Sequence, residues 1–356
     1  MEPWRSVADK TYMRFSDGIS KHHWRDASRQ PVVNRDEFGD HQRCLAVMYH
    51  YVRDRDPIAP GGVRGLTCGE FRAQLSRLCS VMEPIDWPTL YAWIRGRAAV
   101  PERCFLLTFD DGLADHAESV LPILADFGLR GLFFVPAQVL TRHRLLPAHA
   151  VHVLLTHLGR HRFFKELLDH LADHNGGQDW LATLDRTAAE QMYHYEEPSL
   201  AHLKFLLTMA LPAKVRNAAL EALFARHVGS SARWARTWYL GWEQLVEMQS
   251  LGHTIGAHGH SHEPYRRLSP CERLEDLVRA AQVLNDGLGP DIRPMSYPYG
   301  SYDDETCSFS RQAGFVQGFT TRHDWIRADC DPFRIPRVDT IHVEAALQVE
   351  HTCSRA

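Results

Sequence analysis

Strand-like and helix-like segments alternate along most of this chain, which predicts an α/β fold with a parallel sheet or barrel. Three short apolar runs, "CLAVMYHYV" (44–52), "CFLLTF" (104–109) and "LRGLFFVPA" (129–137), are separated by amphipathic segments. The length of 356 residues is ordinary for an α/β barrel that carries insertions. The composition, 44% hydrophobic and 24% charged, suits a globular protein with a sizeable core.

Local signals predict the elements of the first half. Residues 1–42 are polar and weakly periodic, so we expect an N-terminal extension that packs over a domain. Thr67 is a typical N-cap for the helix that follows the first strand. A second helix, after "CFLLTF", should end at Gly128. The first of these helices carries four apolar residues at helical spacing: Phe71, Leu75, Leu78 and Cys79.

Residues 141–239 contain helical patterns only, which predicts a helical insertion in the barrel. "FFKELLDHL" (163–171) has apolar residues at i, i+3, i+4 and i+7, and "PAKVRNAALEALFARHV" (212–228) begins with a proline suited to a first turn. The barrel should therefore comprise 43–140 and 240–356. In its second part, Ser269 and Pro270 mark the start of another helix, and "RPMSYPYGSYD", "FVQGFTTR" and "FRIPRVDT" supply short strand ends.

Charge and cysteine usage exclude several classes of protein. The 40 Lys and Arg against 44 Asp and Glu give a net charge of −4 without basic runs, so we expect no nucleic-acid partner. No run is long enough to span a bilayer, and the first 30 residues lack the apolar core of a signal peptide, so we expect a cytoplasmic protein. Eight cysteines without a CxxC pair predict reduced thiols, with Cys79 and Cys104 in the core.

Two adjacent carboxylates, Asp110 and Asp111, follow the strand "CFLLTF" and precede Gly112. Active sites of α/β folds are built at the carboxyl ends of strands, because loops and helix N-termini converge there. The pair is therefore a candidate site. The alternative is a solvated turn or a cap for the helix that begins near Ala114.

A histidine-rich loop, "HGHSH" (258–262), follows a second predicted strand. His258 and His262 are four residues apart, and two neutral imidazoles at this spacing can bind one divalent ion together with a carboxylate. Three histidines in five residues repel one another when charged, which makes a solvated polar loop the weaker interpretation. A third loop, "SYPYGSYD" (296–303), is a tight turn that can direct a backbone N–H at a developing oxyanion, or is an ordinary aromatic turn.

The three motifs "TFDDG", "HGHSH" and "YPYGSY", in this order, resemble the polysaccharide deacetylases, carbohydrate esterase family four. The framing segments "VMYHYV", "LPILADFGLRGLFFVPA", "GFTTR" and "PRVD" are also similar to that family. The resemblance implies a deformed (β/α) barrel of about seven strands. It further implies one divalent metal ion, with zinc as the first choice and cobalt, nickel or iron as alternatives.

Residue roles follow from the same resemblance. Asp111, His258 and His262 would bind the metal, and Asp110 would be the general base. The backbone N–H of Tyr299 would contribute to the oxyanion hole, and its neighbours Tyr297 and Pro298 would contact the substrate. These roles suit the residue types, because one carboxylate faces the ion while the other accepts a proton from water.

Two parts of the family pattern are missing from this sequence. Many members have an Arg-Pro-Pro-Tyr motif whose arginine orients the catalytic aspartate, but Ser296 stands at that position. Arg337 is the first candidate to replace this cation, ahead of Arg293, and a surface ion pair is the alternative for Arg337. The family's Leu-x-His motif, which supplies the general acid, is also not evident. His50, after the first strand, is our candidate, with His323, His342 and His116 left open.

The resulting hypothesis is a metal-dependent deacetylase that removes the N-acetyl group from an amino-sugar substrate. Because we expect a cytoplasmic protein, we favour a soluble sugar conjugate, such as a nucleotide sugar or a glycosylated natural-product intermediate. The alternatives are a deformylase or other amide hydrolase on the same scaffold, and a non-catalytic carbohydrate-binding module. The insertion, which begins with His149 and His152 in "LLPAHAVHVLL", would shape the cleft or form an oligomer contact. The oligomeric state stays open.

Overall fold

A computed structural model describes residues 42–54, 65–142, 144–174, 180, 182, 184–193 and 197–353. The predicted N-terminal extension, residues 1–42, lies outside the described residues except for Gln42. In the part that the structure describes, no helix is both long and apolar enough to cross a membrane. The seven cysteines whose side chains are described, all except Cys353, are free thiols.

Seven parallel strands form one sheet in the order β7-β6-β5-β4-β3-β1-β8, and the two-residue strand β2 pairs with β3. The strands are β1 (Arg43–Tyr49), β2 (Glu83–Pro84), β3 (Arg103–Phe109), β4 (Gly131–Val135), β5 (Thr254–Ala257), β6 (Arg293–Ser296), β7 (Phe315–Phe319) and β8 (Val338–Asp339).

One segment, residues 335–339, contacts both ends of this strand order. Ile335 forms a bridge with Phe319 of β7, and Val338 pairs with Val47 of β1. The rings of Phe134 and Phe319 lie 5.2 Å apart although β4 and β7 are not neighbours, so this face of the sheet lines the inside of the curve. The expected deformed (β/α) barrel of about seven strands with a helical insertion is confirmed.

Alternating side chains of each strand divide the core into two layers, as the period of two requires. Leu45 and Val47 of β1 pack outward with the covering helices, whereas Cys44 and Ala46 pack inward with Leu106 of β3. Both layers are apolar, which explains why the strands appear as continuous hydrophobic runs in the sequence.

The helices that cover the barrel begin and end at the predicted signals. Thr67 and Ser269 form capping boxes with Glu70 and Glu272, and Gly128 ends its helix with a φ of 66°. Cys79 corrects one expectation, because its side chain is exposed rather than in the core. These helices are α1 (Cys68–Val81), α2 (Trp87–Ile94), α3 (Leu121–Phe127), α11 (Trp242–Ser250), α12 (Pro270–Leu288), α13 (Asp304–Gln312) and α14 (Val343–Cys353).

The described residues between β4 and β5 form helices joined by short loops, and none of them belongs to a named strand. A fully buried face of α6 consists of Phe163, Leu167 and Leu171, close to the predicted spacing. The predicted domain boundaries at 140 and 240 stay a prediction. The helices of this segment are α4 (Ala137–Arg142), α5 (Pro147–Leu158), α6 (Arg160–His174), α7 (Arg186–Met192), α8 (Pro198–Phe205), α9 (Ala213–His227) and α10 (Ser231–Trp238).

Candidate active site

Polar side chains from three loops meet at the carboxyl ends of the central strands. Tyr49 and Phe109 end β1 and β3 in register, and the Asp110 N–H donates to the Tyr49 carbonyl at 2.9 Å. His258 directly follows β5, whose Ala257 pairs with Met295 of β6. Parallel pairing therefore brings sequence segments almost 150 residues apart to one edge of the sheet.

Asp111, His258 and His262 form a buried cluster that could hold a metal ion. One ligand atom from each residue lies within 4.8 Å of the others. The Asp111 Oδ1 atom lies 3.1 Å from His262 Nε2 and 3.5 Å from His258 Nε2. Asp111 and His262 have φ values of 76° and 58°, a left-handed conformation that costs a non-glycine residue free energy.

The donor atoms of this cluster fit a divalent cation. The Nδ1–H of His258 donates to the Ser296 carbonyl at 2.9 Å, which leaves the Nε2 lone pair of the neutral ring facing Asp111. Burial lowers the pKa of His258 to about 4, despite the opposing charge of Asp110. Asp111 Oδ1 is buried and accepts no hydrogen bond of good geometry. One carboxylate and two imidazoles make an open three-ligand site.

Asp110 faces a different partner from Asp111. The guanidinium of Arg337, which has no exposed surface, donates to both carboxylate oxygens at 2.7 Å. Burial alone would raise the pKa of Asp110, but the charge of Arg337 and its hydrogen bonds to the carboxylate oppose burial, and this pKa lies below its usual value. Asp110 is therefore an ionised carboxylate fixed in orientation by a bidentate ion pair.

The contacts of Arg337 also explain why a serine can stand at position 296. Arg337 Nη2 donates to Ser296 Oγ at 2.6 Å, so a hydroxyl occupies the place where many family members carry their arginine. Arg337 Nε donates to the Thr320 carbonyl at 3.0 Å, which anchors the side chain to the end of β7. Arg293, the other candidate, lies at the start of β6 and donates to the Ile255 and Gly289 carbonyls, at the opposite edge from Asp110.

The three site residues predicted in the loop after β6 lie in different surroundings from one another. Tyr299 has a φ of 57°, and its ring lies 4.9 Å from that of His262. Pro298 is buried near Gly259 of the histidine loop. Tyr297 has no exposed surface and donates its hydroxyl to the Phe333 carbonyl at 3.0 Å, so its side chain points into the core. A side chain that is fully enclosed does not contact a substrate, which corrects the expectation for Tyr297.

The histidine candidates for the general acid differ in their position and in their exposure to solvent. His50 is partly exposed and directly follows β1, just as Asp110 directly follows the neighbouring strand β3. His116 is fully buried and its Nε2 bonds the His50 carbonyl at 3.0 Å, so it supports the His50 backbone instead. His323 and His342 are exposed, with ring centroids 4.7 Å apart.

One residue of the site was not assigned a role from the sequence. His149 of α5 is buried, and its Nε2 lies 3.0 Å from Asp111 Oδ2. Burial would raise the pKa of Asp111, yet His262 and the hydrogen bond from His149 hold this pKa well below its usual value. The motif "LLPAHAVHVLL" placed His149 at the entrance of the insertion, but no local pattern indicates which distant carboxylate it meets.

The fold and the site define a class, a parallel α/β barrel with a carboxylate pair and two histidines at the carboxyl ends of its strands. A family model described as polysaccharide deacetylase matches residues 97–175 and 215–318, a little over half of the chain. The chain therefore belongs to the polysaccharide deacetylase family.

Comparisons with individual proteins agree with the family. The poly-β-1,6-N-acetyl-D-glucosamine N-deacetylase of Staphylococcus epidermidis is 26% identical over 125 residues, which cover 33% of this chain and 43% of that protein. The matched part thus spans less than half of this curated relative. The solved structure of IcaB from Ammonifex degensii superposes with a TM-score of 0.54 at 18% identity, over 87% of this chain and 96% of that one.

A second solved structure supports the same fold. The Streptococcus pyogenes deacetylase PplD, solved in complex with acetate, superposes with a TM-score of 0.52 at 14% identity. The superposition covers 83% of this chain and 92% of that one. At this identity the likeness concerns the fold alone.

Proposed function

We propose that this protein hydrolyses the N-acetyl group of an amino-sugar unit, with one divalent metal ion held by Asp111, His258 and His262. The observation that carries the proposal is the division of two adjacent carboxylates. Asp111 faces two imidazoles, whereas Asp110 faces the Arg337 guanidinium. In this arrangement Asp111 can bind a cation, while Asp110 stays ionised and can accept a proton.

The residues divide the work of amide hydrolysis as follows. When bound, the divalent ion supplies Lewis acidity that polarises the acetyl carbonyl and makes a water molecule more acidic. Asp110 accepts the proton of the water that attacks the carbonyl carbon. His50 donates a proton to the amide nitrogen as its bond to carbon breaks, and the products are acetate and a free amine. The Tyr299 N–H donates to the oxygen that gains negative charge.

The substrate is an acetylated amino sugar in this proposal. The family match and the name of the Staphylococcus relative support a unit of a sugar polymer. A cytoplasmic location, which stays a proposal, would favour a soluble sugar conjugate. Zinc is the first candidate for the metal, because an Asp-His-His set with an open position is typical of catalytic zinc sites.

The decisive experiment combines metal content with acetate release. The wild type, Asp110→Asn and Asp111→Asn are purified, their metal is measured by elemental analysis, and acetate release is followed on N-acetylglucosamine oligomers, β-1,6-linked polymer and nucleotide sugars. We expect Asp110→Asn to keep about one metal per chain and lose turnover by roughly 10²–10⁴-fold, as expected for a general base. Asp111→Asn should lose the metal.

Four results would contradict the proposal. Metal loss in Asp110→Asn with retention in Asp111→Asn would reverse the two roles. Full turnover after chelation would exclude a metal mechanism. One bound metal per chain with no hydrolysis of any acetylated sugar would favour a carbohydrate-binding protein, and formate release would favour a deformylase.

A further inference from the structure

We propose that His149 is a positioning residue for the metal-binding carboxylate of Asp111, and that Tyr239 fixes the tautomer of His149 that performs this role. The inference rests on the metal site of the proposed function. It assigns to the helical segment between β4 and β5 a direct part in building that site, because α5 carries His149 and Tyr239 follows α10.

Three consecutive hydrogen-bond distances connect these residues. Asp111 Oδ2 lies 3.0 Å from His149 Nε2, and His149 Nδ1 lies 2.6 Å from the Tyr239 hydroxyl. The Leu146 N–H donates to the same hydroxyl at 2.8 Å. The residues Asp111, His149 and Tyr239 are only 6%, 1% and 5% exposed, so water has little access to these partners.

Donor and acceptor chemistry determines every proton in this series. The Tyr239 oxygen accepts from Leu146, so its own O–H is free to donate to His149 Nδ1. A neutral His149 that accepts at Nδ1 carries its proton on Nε2. This Nε2–H points at Asp111 Oδ2, which is an acceptor. The ionised carboxylate can only accept, so it requires this proton on Nε2, and the Tyr239 O–H stabilises the same tautomer by donating to Nδ1.

The consequence for Asp111 is a fixed division of its two oxygens. His149 occupies Oδ2, while Oδ1 faces His258 and His262 without a hydrogen bond of good geometry. A carboxylate without this partner could rotate and present either oxygen. Because metal-binding groups are oriented by such outer hydrogen bonds, the arrangement favours one geometry of coordination.

The backbone holds Tyr239 in register with the Asp111 loop. The Leu240 N–H donates to the Gly112 carbonyl and the Ala114 N–H donates to the Trp238 carbonyl, both at 2.9 Å. These bonds join the turn after β3 to the end of α10, so the tyrosine and the carboxylate move as one unit. The left-handed conformation of Asp111, with its φ of 76°, is thus surrounded by contacts that fix it.

A direct measurement of metal affinity tests the proposal. The full-length wild type, His149→Gln, His149→Leu and Tyr239→Phe are titrated with Zn²⁺ against a competing chelator, and Co²⁺-loaded samples are compared by their d–d absorption. The matched control is His152→Gln, because His152 is a second histidine of α5 whose Nδ1 bonds the Tyr51 hydroxyl instead of a carboxylate. Unfolding of the metal-free proteins by urea identifies variants that merely fold less well.

We expect His149→Leu to weaken Zn²⁺ binding by roughly 10–100-fold, the range for loss of an outer hydrogen bond to a ligand. His149→Gln should restore most of the affinity, because its amide N–H₂ can donate to Asp111 Oδ2. Tyr239→Phe should weaken binding and change the Co²⁺ spectrum, since the proton of His149 is then no longer confined to Nε2. The control should bind like the wild type.

Unchanged Zn²⁺ affinity in His149→Leu would overturn the inference while leaving the proposed function intact. Equal loss in His149→Gln and His149→Leu would also overturn it, because His149 would then act as a ligand rather than as a hydrogen-bond donor. A wild type that binds no divalent ion would reject the metal site itself, so the two failures are distinguishable.

Discussion

Asp110 and Asp111 are identical side chains that adjoin in the sequence, and their surroundings alone make them different. Both carboxylates are buried within the same turn, and each has its own hydrogen-bond partners. Arg337 binds one of them and His149 the other. These partners therefore distinguish a carboxylate paired with a guanidinium from one that faces two imidazoles.

Replacement of Arg337 by methionine should move the pH profile of the enzyme. Burial raises the pKa of Asp110 once the guanidinium is absent, so a larger fraction of the carboxylate is protonated at a given pH. A general base must be ionised, and the acidic limb of kcat/KM for acetate release should therefore shift to higher pH in Arg337→Met than in the wild type.

Arg293→Met is the matched control, because Arg293 is also a buried arginine of the barrel but bonds only carbonyls and an amide. This variant should lose stability without a shift of the acidic limb. Coincident profiles for Arg337→Met and the wild type would show that Arg337 does not control the ionisation of Asp110.

At the scale of elements, the helical segment and the histidine loop are joined by buried charges. Arg216 of α9 and Glu263, which follows His262, form a two-bond ion pair, with Arg216 only 2% and Glu263 9% exposed. Arg267 donates to the Thr208 and Leu211 carbonyls. The loop that carries the two histidines therefore packs against the segment between β4 and β5 rather than against the barrel alone.

Removing one member of this ion pair should destabilise the fold strongly. Arg216→Met leaves the Glu263 carboxylate buried without its cation, which costs about 3–5 kcal/mol in the free energy of unfolding. The double variant Arg216→Met, Glu263→Leu should recover much of this loss, since neither charge is then buried alone. Urea unfolding of the metal-free proteins measures both.

An exposed pair provides the control for this prediction. Lys165 and Asp169, an i,i+4 pair on α6, are mostly solvent-exposed, so Lys165→Met should leave the unfolding free energy nearly unchanged. A double variant as unstable as Arg216→Met would mean that the lost packing of the arginine, not its charge, supports the loop.

For the whole molecule, buried neutral histidines link stability to pH. Burial lowers the pKa of His116 and of His253 to about 4, and that of His152 to about 3. The histidine pKa values of the unfolded chain are roughly 6.5. Between the native pKa values and this pH, the unfolded chain therefore binds more protons than the native state. Stability should therefore be full above about pH 6.5 and fall as the pH decreases towards the native pKa values.

His253→Asn should reduce this pH dependence. The Nδ1 atom of His253 accepts the Gly131 N–H at 3.0 Å, and an asparagine oxygen can accept the same bond without titrating. We expect the wild type to lose about 1–2 kcal/mol more unfolding free energy than His253→Asn between pH 7.5 and 5. Urea unfolding at the two pH values measures the difference, with the exposed His161→Asn as control. Equal losses in all three proteins would contradict the assignment of His253.

Much of the fold was predictable because its signals are local. Thr67, Gly128 and Ser269 mark helix ends through bonds within a few residues, and the buried strands are continuous apolar runs. Exposure was less predictable, since Cys79 follows the apolar helical pattern but faces solvent. Likewise, the sequence placed Tyr297 in a site loop, but its side chain lies in the core, where its hydroxyl donates to the Phe333 carbonyl.

The sequence by itself determined the order of strands and helices, the carboxylate pair and the histidine spacing. Each strand, helix and motif can be recognised from the residues of one short segment. Only the tertiary structure decided which distant groups meet them. Arg337 reaches Asp110 across 227 residues, and His149 reaches Asp111 across 38. Such contacts arise where the ends of the sheet approach each other and where a helix packs over the strand ends. No local hydrophobic period or capping rule specifies these distances, so they become visible only when the barrel is assembled.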